Sequence, residues 1–269
     1  MVQRNASRKS GRRTAVSRTH EPHLRVHDVP SKGRSSRILQ GGAVRHLLSD
    51  LETRLLTELE WCDAVGEIRE QYALPLHATQ SIAAELGIRH PIVPGTKEPA
   101  VLSTDFVFEI GHGRSRTRHA RAVKSASEFD IRSPKRLKAV ARTAEKLEIE
   151  RRYWEGEGVE WRLVTDRDLD RVRCANIRLF LSSNALDPRE GQAFWEDALT
   201  FTADRLRAGS DRPLSHLARK AEADGKLLER QFIACVRHLC ATRVIVFDMT
   251  KEFSPDLRAS DFEFAAARR

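Results

Sequence analysis

Hydrophobic positions along the chain change period several times, and each change marks an element. In "RHLLSDLETRLLTELEW", residues 45 to 61, the leucines at 47, 48, 51, 55, 56 and 59 sweep one arc of a wheel turned by about 100° per residue, predicting a helix over about 46–61. "AVGEIREQYAL" then alternates as a strand, and "HATQSIAAELG" predicts a short helix that stops at Gly87. "HPIVPG" is a loop with two prolines. The strands "LSTDFVFEI" and "RHARAVKSA" are joined by "GHGRSRTR", whose Gly111-His112-Gly113 turn predicts an antiparallel hairpin. A charged helix over 134–156 starts at Ser133-Pro134, with Ser as N-cap and Pro in first position, and "EWRLVT" follows as a strand. The pattern is α/β, a mixed sheet with helices on its faces.

After Thr165 the helical period takes over, in "DRDLDRVRCANIRLFL" and "EGQAFWEDALTFTADRL". "PLSHLARKAEAD" and "LLERQFIACVRHLC" are helices separated by Gly225, with "RVIVFDM" and "DFEFA" as strands around a polar loop. Helix, turn, helix and two-stranded wing describe a winged helix, although its second helix is not strongly basic. The boundaries expected are a basic arm over 1–28, a sheet domain over 29–168 and a mainly helical winged-helix domain over 169–269.

The composition fits this division. A chain of 269 residues, 40% hydrophobic and 32% charged, supports a packed core in one large domain or two. No apolar run reaches the roughly 20 residues of a membrane helix, and the N-terminus lacks a signal-peptide apolar region, so an intracellular protein is expected. Cys62, Cys174, Cys235 and Cys240 show no CxxC spacing and read as core residues more readily than as metal ligands. The net charge of +9 is unevenly placed: residues 1–40 and residues 111–142 each hold ten Lys/Arg against two acids. Two basic blocks on a mildly acidic body point to a polyanion, with nucleic acid first. A solubilising arm is the other reading of the first block.

One carboxylate does not fit the pattern around it. Ser49 followed by Glu52 has the form of a capping box. Yet Glu52 falls inside the leucine arc, where an unpaired charge is costly to bury. On this segment alone, cap and chemistry are equally good readings.

The hairpin sharpens the choice. It sets Asp105 and Lys124 on adjacent strands, the arrangement of metal-dependent nucleases of the restriction-endonuclease type. There an Asp and a backbone carbonyl hold a hard cation such as Mg²⁺, and a Lys positions or deprotonates the attacking water. A carboxylate from a preceding helix completes such a site, and Glu52 is available. On residue types alone, an exposed Asp105 and a solvated Lys124 fit equally well.

The segments "VPSKGRSSRI", "RHLLSDLE", "EIREQYALP", "GIRHPIV", "STDFVFEI", "AVK", "EKLEIERRYW" and "WRLVTD" occur in order from about 29 to 166. In them the chain resembles TnsA, the endonuclease subunit of heteromeric cut-and-paste bacterial transposases; after 170 the likeness rests on helical organisation. The resemblance implies a restriction-endonuclease-like domain followed by a winged helix. It places the catalytic residues at Glu52, Asp105 and Lys124, with Mg²⁺, for which Mn²⁺ can substitute, held by Glu52, Asp105 and the backbone carbonyl of Val123. Ala122 departs from the pattern, which has Glu or Gln there, and leaves one or two metals open. The resemblance further implies cleavage at the 5′ ends of a transposon, a TnsB-like transposase at the 3′ ends, a TnsC-like AAA+ regulator contacted through the C-terminal part, no membrane, and a bacterial cytoplasmic, nucleoid-associated setting. Arg114, Arg116, Arg118 and Arg121 are the candidates for holding the DNA backbone. Two other readings stand beside this one: a stand-alone restriction or repair nuclease of the same fold, and a non-catalytic winged-helix DNA-binding adaptor.

Overall fold

A computed structural model describes residues 21–25, 36–40, 43–182, 186–208 and 211–265; most of the arm over 1–28 and part of "VPSKGRSSRI" lie outside them. The chain forms two compact units that divide between Leu169 and Asp170.

The N-terminal unit opens with an antiparallel hairpin of β1 (Ser36–Gln40) and β2 (Ala43–Leu47). Helix α1 (Asp50–Trp61) follows, four residues later than the leucine pattern predicts, because Arg45 to Leu47 belong to β2. Ser49 sets the start: it is extended, and its hydroxyl accepts the Glu52 N–H at 3.1 Å. Next come β3 (Val65–Ala73), α2 (Leu76–Glu85), β4 (Ser103–Ile110), β5 (Thr117–Val123), α3 (Pro134–Gly156) and β6 (Glu160–Val164). The sheet order is β3-β4-β5-β6, antiparallel except for the parallel β5/β6 pair that α3 connects. This is a central mixed sheet flanked by helices. Gly111 makes the β4–β5 turn possible: at φ 111 its α-carbon lies so close to Ser115 that an added Cβ would meet the Ser115 carbonyl oxygen at 2.6 Å.

Each face of the sheet has its own core. Leu55, Leu56 and Leu59 of α1 pack with Leu47, Ile68, Phe106, Phe108 and Val123. Trp154 of α3 packs with Leu74, Val107 and Ala120, flanked by Tyr72 and Trp161.

The C-terminal unit contains α4 (Arg171–Ser182), α5 (Gln192–Arg207), α6 (Leu214–Ala223) and α7 (Glu229–Ala241), with α7 against the other three. Gly225 takes φ 65 between α6 and α7. Strands β7 (Ile245–Val246) and β8 (Glu263–Phe264) pair antiparallel but are far shorter than the sequence pattern suggests. The 249–253 segment is held instead by Asn176, whose amide donates to the carbonyls of Met249 (3.0 Å) and Lys251 (2.7 Å) and accepts from the Phe253 N–H (2.9 Å). Phe180, Phe247, Phe253 and Phe262 stack edge-on and tilted around it. Among the described residues, no helix is long and apolar enough to cross a membrane.

Candidate functional site

Sheet alternation fails where the site lies. Phe106 packs on the α1 side and Val107 on the α3 side, as adjacent strand residues should. Continuing that period would put Thr104 with α1, yet its hydroxyl accepts the indole N–H of Trp154 at 2.7 Å on the α3 side. Tyr72, paired with Thr104, stacks on the same Trp154. The pairs Glu70–Phe106 and Tyr72–Thr104 keep one register, and between them Gln71, opposite Asp105, takes the left-handed φ of 46. A non-glycine residue there costs about 1–2 kcal/mol. The left-handed turn of the backbone re-aims Gln71 and Asp105 without inserting a residue.

Glu52, Gln71 and Asp105 are buried, at 5%, 1% and 9% exposure. The Gln71 amide nitrogen donates to Glu52 Oε2 and to Asp105 Oδ1, at 3.3 Å each. The opposite oxygen of Asp105 accepts the Val123 N–H at 2.6 Å and the Lys124 ammonium at 3.2 Å. Lys124 also donates to the Val123 carbonyl at 2.8 Å. The four positions expected from the sequence therefore gather from α1, β4 and the end of β5. Gln71, which no sequence motif singles out, joins the two carboxylates. Nothing in "EIREQYAL" reveals it, because a left-handed residue leaves no mark in residue type.

Glu52 is also part of the helix start. Ser49 donates to Oε1 at 2.9 Å, and the Leu48 N–H donates to Oε2 at 2.9 Å. The reciprocal half of the capping box thus reaches Leu48, one residue before the cap. Burial first, and the Asp105 charge second, push the Glu52 carboxyl up to about 7, against the hydrogen bonds from Leu48 and Ser49 and the charge of Lys124. Glu150 of α3 is a second buried acid behind the site, pushed up to about 7 by burial and by Asp105, although Trp161 donates to it at 3.0 Å. Burial works to discharge Lys124, but Asp105 and Glu150 overcome it and raise its pKa, keeping the ammonium.

Glu52 and Glu150 lie within electrostatic reach of Asp105 and Lys124, and a bound cation would favour their ionised forms. The available donors are carboxylate, carbonyl and amide oxygens, which suit a hard divalent ion. Among the described residues, no group of three or more His, Cys, Asp or Glu is placed to hold a metal. Any cation here draws on two carboxylates and on uncharged oxygens.

The arginine candidates separate. Arg116 is exposed and pairs with Glu109 at 3.3 Å, Arg118 is exposed, and the Arg114 side chain lies outside the described set. Arg121 is held down, donating to the carbonyls of Ala120 and Glu160 and lying over the Phe108 ring. Arg118 and Lys124 are six residues apart along β5, about 20 Å at strand rise.

Comparison with known proteins adds the decisive observation. The family described as "TnsA-like endonuclease N terminal" matches residues 62–166, which include Gln71, Asp105 and Lys124. The chain is also 33% identical over 247 residues to the transposon Tn7 transposition protein TnsA of Escherichia coli, covering 91% of this chain and 85% of that protein. The chain belongs to the TnsA family. In this TnsA-family chain Glu52 precedes the region matched by the family domain, and its place beside Asp105 is a matter of geometry.

Proposed function

We propose that the chain is the metal-dependent DNA endonuclease subunit of a transposase and cuts the 5′ ends of a transposon in cut-and-paste transposition. The observation that carries this reading is the convergence of two buried carboxylates, Glu52 and Asp105, on one amide nitrogen, with Lys124 on the far oxygen of Asp105. Glu52, Asp105 and the Val123 carbonyl would hold Mg²⁺, or Mn²⁺ in its place. Bound there, the ion would stabilise the charge that develops on the phosphodiester and make a metal-held water more acidic.

The remaining roles fall to side chains. Asp105 is fixed through Oδ2 by the Val123 N–H and by Lys124, which leaves Oδ1 for the cation. Asp105 and Glu150 favour the ammonium form of Lys124, which in that form would donate to water or phosphate. Arg114, Arg116 and Arg118 would meet the phosphate backbone away from the cut, at the far end of β5. The C-terminal unit, with α6, turn, α7 and a short two-stranded ladder, is read as a winged helix that meets a TnsC-like AAA+ regulator, while a TnsB-like transposase recognises and cuts the other strand.

The test is nicking of a transposon-end duplex in Mg²⁺ with the partner proteins present. Wild-type protein should cut the 5′ strand and Asp105→Ala should not; equal cutting by both would sink the proposal.

A further inference from the structure

We propose that Gln71 is itself a ligand in the metal site, its amide oxygen turning toward the cation that Glu52 and Asp105 hold. The inference rests on the reading of those two carboxylates as metal ligands.

Gln71 borders the space a shared cation would take. Its amide nitrogen is equidistant, at 3.3 Å, from the two carboxylate oxygens that face each other, Glu52 Oε2 and Asp105 Oδ1. The partial positive charge of the amide hydrogens thus points at two negative groups in the metal-free protein. Once a cation enters, amide hydrogens pointing at it are repelled, and a half-turn of the amide brings Oε1 in their place. The neighbour of Oε1 tolerates that turn: Ser103 now donates to Oε1 at 3.2 Å, and a hydroxyl can equally accept from Nε2.

Two further observations support the assignment. The end of β5 offers the site a backbone carbonyl but no side-chain oxygen, since Ala122 and Val123 are apolar and Lys124 is a cation, which leaves room for an uncharged side-chain oxygen from β3. And β3 holds Gln71 in a left-handed conformation although it is neither Gly nor Asn, which turns its side chain toward Glu52 and Asp105. Backbone strain persists where the surroundings enforce it, and it gathers at ligand clamps.

The test is calorimetric titration of the full-length, metal-free protein with MnCl₂ and no DNA, comparing wild type with Gln71→Gly, Gln71→Glu and Asp105→Ala. Glycine accepts the left-handed backbone, so the first variant removes the amide without adding strain. Gln71→Gly should weaken Mn²⁺ binding by about 10-fold or more, and Gln71→Glu, which restores an oxygen, should recover it. Binding by Gln71→Gly as tight as wild type, while Asp105→Ala abolishes it, would overturn the role of Gln71 alone. Equal weakening in Gln71→Gly and Gln71→Glu would assign Gln71 to holding the carboxylates through its N–H groups and overturn oxygen ligation. Wild-type binding by Asp105→Ala would remove the carboxylate site itself, and ligation by Gln71 with it.

Discussion

The two units bury polar groups in different ways. Among the described residues the C-terminal unit buries Asn176 and Thr202, both uncharged, within a core of aromatic and aliphatic side chains. Asn176 has three hydrogen bonds and an evident structural task, fastening the segment before Phe253. The N-terminal unit buries the uncharged Thr57, Gln71, Thr79 and Thr104 but also Arg45, Glu52, Glu70, Asp105 and Glu150, all ionisable. One pair explains itself: Arg45 donates to Glu70 at 2.7 Å. Asp105 raises the pKa of both Glu52 and Glu150, and a core built for stability alone would not place the three acids together. A polar group that is satisfied locally belongs to the fold, whereas a surplus of buried charge of one sign marks chemistry.

That contrast can be broken by substitution. Replacing a surplus acid should remove activity, and Asp105→Ala or Glu52→Gln should lower strand cleavage by at least about a hundredfold in the partner-containing assay. Replacing the satisfied amide should remove stability instead. Asn176→Ala leaves two carbonyls and one N–H without partners and should destabilise the C-terminal unit by about 2–3 kcal/mol in urea melts, with Mn²⁺ binding unchanged. If Asn176→Ala abolished Mn²⁺ binding, the division of labour would be wrong.

Ser49 belongs to both categories, since its hydroxyl caps α1 and also donates to Glu52. Ser49→Ala should cost about 1 kcal/mol of stability and weaken cleavage as well. Loss of stability with full cleavage would leave Ser49 as a cap alone.

The smallest effect concerns pH. Glu150 is pushed up to about 7, above its unfolded value, so its neutral form is favoured in the folded state. Its stabilising contribution is complete below the unfolded value of 4.5 and is lost as pH rises through about 7. The metal-free protein should therefore melt lower at pH 8 than at pH 5. Glu150→Gln should raise the pH 8 midpoint by about 2–4 °C and leave the pH 5 midpoint unchanged; an equal change at both would contradict the buried charge of Glu150 as the cause.

Much of the sheet unit is legible in the sequence because local signals agree with packing. The Ser133-Pro134 start of α3, the Gly111 turn and the inward phase of Glu52 each reappear in space. The start of α1 is misplaced because Leu47 and Leu48 satisfy a strand and a helix alike, and Ser49 alone separates them. Two site features are invisible to periodicity. Glu150 lies in a strongly charged helix whose buried face is narrow, so its inward direction depends on Trp161 and the sheet. Gln71 depends on a backbone break opposite Asp105 that alternating residues conceal. In the C-terminal unit the long apolar runs suggest strands of several residues, but the 249–253 segment is tied to Asn176 and the ladder closes after two pairs.

Whether Glu52 and Asp105 share one cation is tested most directly by anomalous scattering from crystals soaked in MnCl₂. A single strong peak bonded to both carboxylates, lost in Asp105→Ala, is the predicted result. A peak that touches neither carboxylate, or no peak in crystals whose protein binds Mn²⁺ in solution, would contradict it.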